Sequence, residues 1–111
     1  MLEKGADIEG KSSGGTTALS DAAGLRRPEV VKLLLNKGAN IEARDDGGTT
    51  ALMRAAFGGS ADVVRLLLDK GANVNARSHD GASALDLAIG MNKNNGSWTP
   101  VVKLLQSRGA R

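Results

Sequence analysis

LLLNKGANIEA at Leu33–Ala43 returns as LLLDKGANVNA at Leu66–Ala76, 33 residues further on. A truncated copy, LEKGADIEG, opens the chain at Leu2, and a last fragment, LLQSRGAR, closes it from Leu104. A fixed period of this length means that one supersecondary unit is used again and again. Function is therefore expected on a repeated surface rather than in a single catalytic pocket.

The complete middle copy, Asp45–Arg77, shows what the unit is. It opens with DDGGTT, a run of turn-formers in which Gly47 and Gly48 can take positive φ. TALMRAAF follows, with Leu52, Ala55 and Ala56 spaced as the buried stripe of a short helix. Gly58-Gly59 breaks that helix, and Ser60 is placed to cap a second one, ADVVRLLLDK. Val63, Val64, Leu67 and Leu68 give the second helix its apolar face. Gly71 stands where a left-handed residue would end it, and ANVNAR is expected to lead out in extended form. The first copy repeats this grammar with TTALSDAAG and PEVVKLLLNKG, Pro28 falling at the first helical position. The third reads SALDLAIG and TPVVKLLQSRG, with Thr99 as the expected N-cap and Pro100 at N1. Two such helices cannot enclose a core alone, so neighbouring units must stack into a solenoid.

Composition narrows what such a stack can do. A chain of 111 residues is one small domain that buries only about 60–70% of its unfolded surface. Cysteine is absent and His79 is the single histidine, which excludes disulfides, thiolate metal sites and centres built on several imidazoles. No stretch approaches the roughly 18–20 apolar residues that span a bilayer, and the N-terminus lacks the apolar core of a signal peptide. These features fit a reducing, intracellular compartment, cytoplasm or nucleus. Phe57 and Trp98 are the only aromatic residues, so Ala, Leu, Val and Ile must build the core, which suits thin, closely stacked helices. The net charge of +3 comes from 15 basic and 12 acidic side chains and reads as a solvated surface.

The unit resembles an ankyrin repeat. The family pattern runs D-x-x-G-x-T-P-L-H-x-A-A, then G-H-x-E-I-V-x-L-L-L, then G-A-D-V-N-A. The middle copy reads D-D-G-G-T-T-A-L-M-R-A-A, G-S-A-D-V-V-R-L-L-L and G-A-N-V-N-A, and the likeness extends over essentially the whole chain. It implies an all-α solenoid of three helix pairs plus partial terminal repeats, with projecting β-turns or hairpins. The divisions are a partial repeat at 1–11 and repeats at 12–44, 45–77 and 78–111, the last with an inserted loop at 91–97. It also implies a scaffold that binds a protein partner, with no enzymatic activity and no cofactor. One departure concerns T-P-L-H, which becomes Thr17-Ala18-Leu19-Ser20, Thr50-Ala51-Leu52-Met53 and Ser83-Ala84-Leu85-Asp86. Without the proline and histidine a rigid helix start and a hydrogen-bonding ring are lost, which predicts weaker repeats.

Four features invite a chemical reading, and each has a plainer one. Gly5–Ser12 satisfies the phosphate-loop pattern G-x-x-x-x-G-K-[ST], but only four residues precede it, Ser13-Gly14-Gly15 follows, and the segment aligns with the inter-repeat connectors. Asp7 and Glu9 would also repel a phosphate. The carboxylates Asp7, Glu9, Glu42, Asp45 and Asp46 are expected on exposed turns, solvated and without a catalytic pKa. His79 beside Asp80 in ARSHDGAS superficially suggests a triad, yet triad members come from separate elements and a surface-turn histidine suffices. Asn95-Gly96-Ser97 fits the glycosylation pattern, but no signal peptide would deliver it.

Stacking turns each position into a column. Lys11, Arg44 and Arg77 form a basic column beside the turns, which could meet a polyanion or simply pair with Glu9, Glu42 or Asp45. Ser13, Asp46 and His79 form the next, followed by Thr16, Thr49 and Ala82. On the short helices a second face carries Asp21, Gly24 and Leu25, then Arg54, Phe57 and Gly58, then Leu87, Gly90 and Met91. In the resembling family this face lines the concave groove where partners bind, so Phe57 becomes a candidate anchor and Arg54 a candidate contact, aromatics and arginine being the usual hot-spot residues. In the third copy Gly71 to Gly109 spans 38 residues. The extra five fall in GMNKNNGSW, a longer surface loop closed by Trp98, which either caps the end of the stack or meets a partner.

The chain starts within a repeat, as a segment of a longer array would. Its apolar flanks make head-to-tail self-association a second possible role. Nucleic-acid binding through the basic column is a third and weaker one.

Overall fold

The computed structural model describes residues 17–92 and 96–110. Six helices follow in order: α1 (Ala18–Gly24), α2 (Pro28–Asn36), α3 (Ala51–Gly58), α4 (Ala61–Asp69), α5 (Ala84–Asn92) and α6 (Thr99–Ser107). They form three antiparallel pairs. The short helices α1, α3 and α5 pack in an inner row, and α2, α4 and α6 in an outer one. This is the helical solenoid that the period implied.

Side-chain size explains the two rows. The inner helices meet through Ala22, Ala23, Ala55, Ala56 and Ala88, all buried, so their backbones approach closely. The outer row buries branched residues, Val31 and Leu34, then Val63, Val64 and Leu67, then Val101 and Leu105. Leu67 is fully buried on α4, the outer helix that packs against both α2 and α6. Burying such a side chain supplies roughly 1.5–3 kcal/mol.

The helix starts compensate for the departures seen in sequence. In each inner helix the third residue closes back on the cap. Met53 N–H donates to Thr50 Oγ1 at 3.4 Å while Thr50 N–H points at Met53 Sδ, 3.5 Å away. Ser20 N–H donates to Thr17 Oγ1, whose hydroxyl donates to Ser20 Oγ at 3.3 Å. Ser83 N–H donates to Asp86 Oδ2 at 3.0 Å, and Asp86 N–H returns to Ser83 Oγ at 3.2 Å. Met53 and Asp86 complete a capping box with the N-cap amide, whereas Ser20 answers the cap through its hydroxyl. Ser60 caps α4 through Val63 N–H, Pro28 occupies N1 of α2, and Gly71 is left-handed at φ +95°.

Several expectations need correction. Among the described residues the tips are turns and not β-hairpins; one isolated bridge, Arg77 with Ser83, takes the place of a ladder. The two described tips close on themselves within a few residues, through Asp45 N–H to Thr49 O and Ser78 N–H to Ala82 O, and Asp45 Oδ1 takes the Gly47 and Thr49 amides, so no longer ladder forms. ANVNAR is also a turn, because Asn73 Oδ1 accepts from Asn75 N–H at 3.0 Å and folds the segment back. Thr99 is the first residue of α6 and Trp98 is the N-cap, without a side-chain cap bond. Asn92 is the cause: its Oδ1 accepts from Trp98 N–H at 2.9 Å and from the Thr99 hydroxyl at 3.3 Å, drawing that hydroxyl away from the helix amides. Helix α5 runs on to Asn92, so Met91 and Asn92 are helical where the inserted loop was expected to begin. No helix among the described residues is long and apolar enough to cross a membrane.

Candidate functional site

The inner helices present one open groove. With a volume of about 600 Å³, it is lined by Asp21, Gly24 and Leu25 of the first repeat, Thr49, Met53, Arg54 and Phe57 of the second, and Leu87 of the third. Met53 forms its buried floor. Gly24 leaves room for the Arg54 stem, which would lie 3.8 Å from a β-carbon there. Leu25 and Phe57 stand out of the wall, 65% and 54% exposed. Helical spacing put Asp21, Leu25, Arg54, Phe57 and Leu87 on this face, and the structure brings them together.

One edge of the groove is the row of turn tips, where the charged side chains are engaged. Asp45 Oδ1 accepts from Gly47 N–H and Thr49 N–H, each at 2.9 Å, and its Oδ2 meets Arg54 Nη2 at 2.7 Å. The Asp45 side chain is only 7% exposed. Burial raises its pKa, but the Arg54 guanidinium and the Thr49 and Gly47 amides outweigh that and hold the carboxyl below its ordinary value. The expectation of a solvated Asp45 is therefore wrong, and its partner is Arg54 rather than the basic column.

The column itself is also occupied. Arg44 Nη1 donates to Gly48 O at 2.7 Å and across the repeat boundary to Arg77 O at 2.6 Å. Arg77 Nη1 donates to Gly81 O at 2.8 Å and reaches Asp86 Oδ2 at 3.3 Å. The Ser83 amide, despite some burial, and then the Ser83 hydroxyl and Arg77 draw the Asp86 pKa down. His79 N–H donates to Gly47 O at 2.9 Å, joining neighbouring tips. Its ring covers Gly48, where a β-carbon would come within 2.6 Å of His79 Cδ2. Asp46 and the His79 side chain are exposed at the tips.

The far edge of the groove is different. Trp98, which from sequence either caps the end of the stack or meets a partner, reaches back to the second repeat, where Nε1–H donates to Phe57 O at 3.0 Å. Its ring lies against Gly59, a left-handed residue at φ +75° that no side chain could replace without meeting the indole within 2.8 Å. Arg26 shares a depression with it, and Arg27 follows as the exposed N-cap of α2; neither was singled out from sequence. Two adjacent arginines in the loop before Pro28 were the available signal. Met91 lies half-buried on the last turn of α5. Lys11, Ser13, Thr16 and the Gly5–Ser12 motif lie outside the described residues.

Among the described residues no group of three His, Cys, Asp or Glu side chains could hold a metal ion. Stacked helix pairs around an open groove define a helical-repeat scaffold of the protein-binding kind. The family comparison makes this specific: a family model described as ankyrin repeats (many copies) matches residues 19–68. The matched segment, which runs from α1 through most of α4, belongs to the ankyrin-repeat family. No curated protein matches the chain.

Proposed function

We propose that the chain binds a protein partner in the concave groove, with Leu25 and Phe57 as the anchoring contacts. What supports this most is the contrast within one surface. Leu25 and Phe57 are more than half exposed beside an apolar floor, while the tip side chains are tied to backbone carbonyls and to one another. Exposed apolar side chains around a concavity are the usual mark of an interaction site. The tip residues Asp46, Thr49, Arg77 and His79 then border the interface, and Trp98 holds its far wall through Phe57 O.

A photo-crosslinking amino acid at Phe57, compared with one at Lys32 on the outer helix α2, tests this reading. Crosslinks to a defined partner should form from position 57 and not from position 32. Equal labelling from both positions would refute the groove.

A second reading, stacking of copies, has one observation in its favour. Ile89 on α5 is 41% exposed, whereas Ala56, one period earlier, is fully buried. Light scattering over a concentration series, with Ile89→Glu as control, tests it. A polyanion has less to hold in the basic column than the sequence suggested, because Arg44 and Arg77 already donate to backbone carbonyls.

A further inference from the structure

We infer that the segment accepted by the groove carries an apolar anchor followed by acidic residues, the acidic end being held by Arg26 and Arg27. This rests on the groove reading above and adds the chemistry of the partner.

Arg26 and Arg27 directly follow Leu25, the most exposed apolar residue of the wall. Arg26 lies against Gly58, its Cγ 3.7 Å from where a β-carbon would stand. With Gly58, Gly59, Ser97 and Trp98 it lines a smaller depression of about 230 Å³ that carries the concave surface on past Phe57. Both arginines are exposed, and neither is ion-paired with any described residue. Every other described arginine is engaged: Arg54, Arg65, Arg77 and Arg108 pair with carboxylates, and Arg44 with carbonyls. Arg26 thus sits uncompensated at one end of an apolar groove, and Arg27, equally unpaired, adds a second positive charge next to it in the chain.

The backbone adds to this. Arg26 is the one non-glycine residue with positive φ among those described, at +62°. Its equivalent in the second repeat, one period on, is Gly59 at +75°. A glycine would fit the first loop without strain, yet an arginine stands there, as strained residues often do at sites of function. Asp21 lines the opposite, tip-side part of the groove and has no ion-pair partner among the described residues. The groove therefore has a polarity. An acidic residue is favoured beyond Phe57 and disfavoured beside Asp21, which sets the direction of the bound segment as well as its composition.

Panning the folded chain against random peptides of about a dozen residues displayed on phage tests the inference. Enriched peptides should pair a large apolar residue with Asp or Glu on one consistent side. A synthetic copy of the strongest should bind Arg26→Glu/Arg27→Glu roughly tenfold more weakly, and its affinity should fall as salt rises. Replacing its acidic residues by Lys should reverse the preference for the double variant. Phe57→Asp should abolish binding, with circular dichroism confirming that all variants remain folded. Peptides lost on Phe57→Asp but indifferent to the arginine changes would overturn the inference and leave the groove reading standing. Peptides indifferent to Phe57→Asp, or no enrichment at all, would remove both. A fluorescent oligonucleotide that binds through Arg26 and Arg27 with no acidic peptide enriched would also overturn it.

Discussion

The two edges of the groove are built from similar residue types and use them differently. At the tip edge Arg44, Asp45, Arg54 and Arg77 are bonded to carbonyls, amides and one another, and the Arg44 bond to Arg77 O links one repeat to the next. At the opposite edge the side chains of Leu25, Arg26, Arg27 and Phe57 are exposed, and the contact that crosses the boundary, Trp98 Nε1–H to Phe57 O, uses only the backbone of Phe57. A charged column is thus a poor guide to a binding surface in a stack. Charges placed one period apart can serve the stack itself, and the surface left for a partner is where side chains stay exposed and unengaged by the stack.

The core beneath both edges sets the scale for testing this difference. Leu67→Ala removes a fully buried side chain of the central outer helix and should cost roughly 2–5 kcal/mol. Urea denaturation should find the variant largely unfolded, and a loss under about 1 kcal/mol would place Leu67 outside the core.

At the tip edge, Asp45→Asn retains an acceptor for Gly47 and Thr49 N–H but deprives Arg54 of its carboxylate. Because Arg54 is 35% exposed and can turn to solvent, the cost should be about 1–3 kcal/mol at neutral pH rather than the full penalty for a buried charge. The pH dependence has a definite sign. The folded pKa of Asp45 lies below the ordinary 3.8, so its contribution is complete above that value and is lost as pH falls through the lowered one. Denaturation curves of the two proteins should converge in strong acid, and a gap independent of pH would exclude the ion pair as its source.

Two left-handed glycines sharpen the comparison further. Gly48→Ala would bring a β-carbon within 2.9 Å of the His79 backbone nitrogen, whereas Gly71→Ala meets nothing within 4 Å. Both incur the left-handed penalty of about 1–2 kcal/mol, so the excess loss at Gly48 measures how tightly adjacent tips are stacked. Equal losses would mean that the tips are not in contact.

Much of this was legible in the chain. The 33-residue period determined the helix pairs, and within them Ser60, Pro28 and Gly71 marked helix ends by local chemistry that hardly depends on distant residues. Helical phase also placed Arg54, Phe57 and Leu87 on one face. What was not legible depended on side-chain reach across the stack. Arg44 finds the carbonyl of Arg77, 33 residues away, and Trp98 finds Phe57 O, 41 residues away. The length of an arginine or the width of an indole decides these contacts, and periodicity records neither. Asn92 illustrates the same limit on a smaller scale: its amide oxygen competes for Thr99 and moves the start of α6 by one residue.

The most direct test is to compare the urea-denaturation free energies of Phe57→Ala and Arg44→Ala. Phe57 is exposed and should be worth less than about 0.5 kcal/mol to the fold, as for other surface changes. Arg44 donates to two carbonyls, one across a repeat boundary, and its loss should cost about 1–2 kcal/mol. Phe57→Ala costing as much as Arg44→Ala would contradict the account, because Phe57 would then be holding the stack rather than standing ready for a partner.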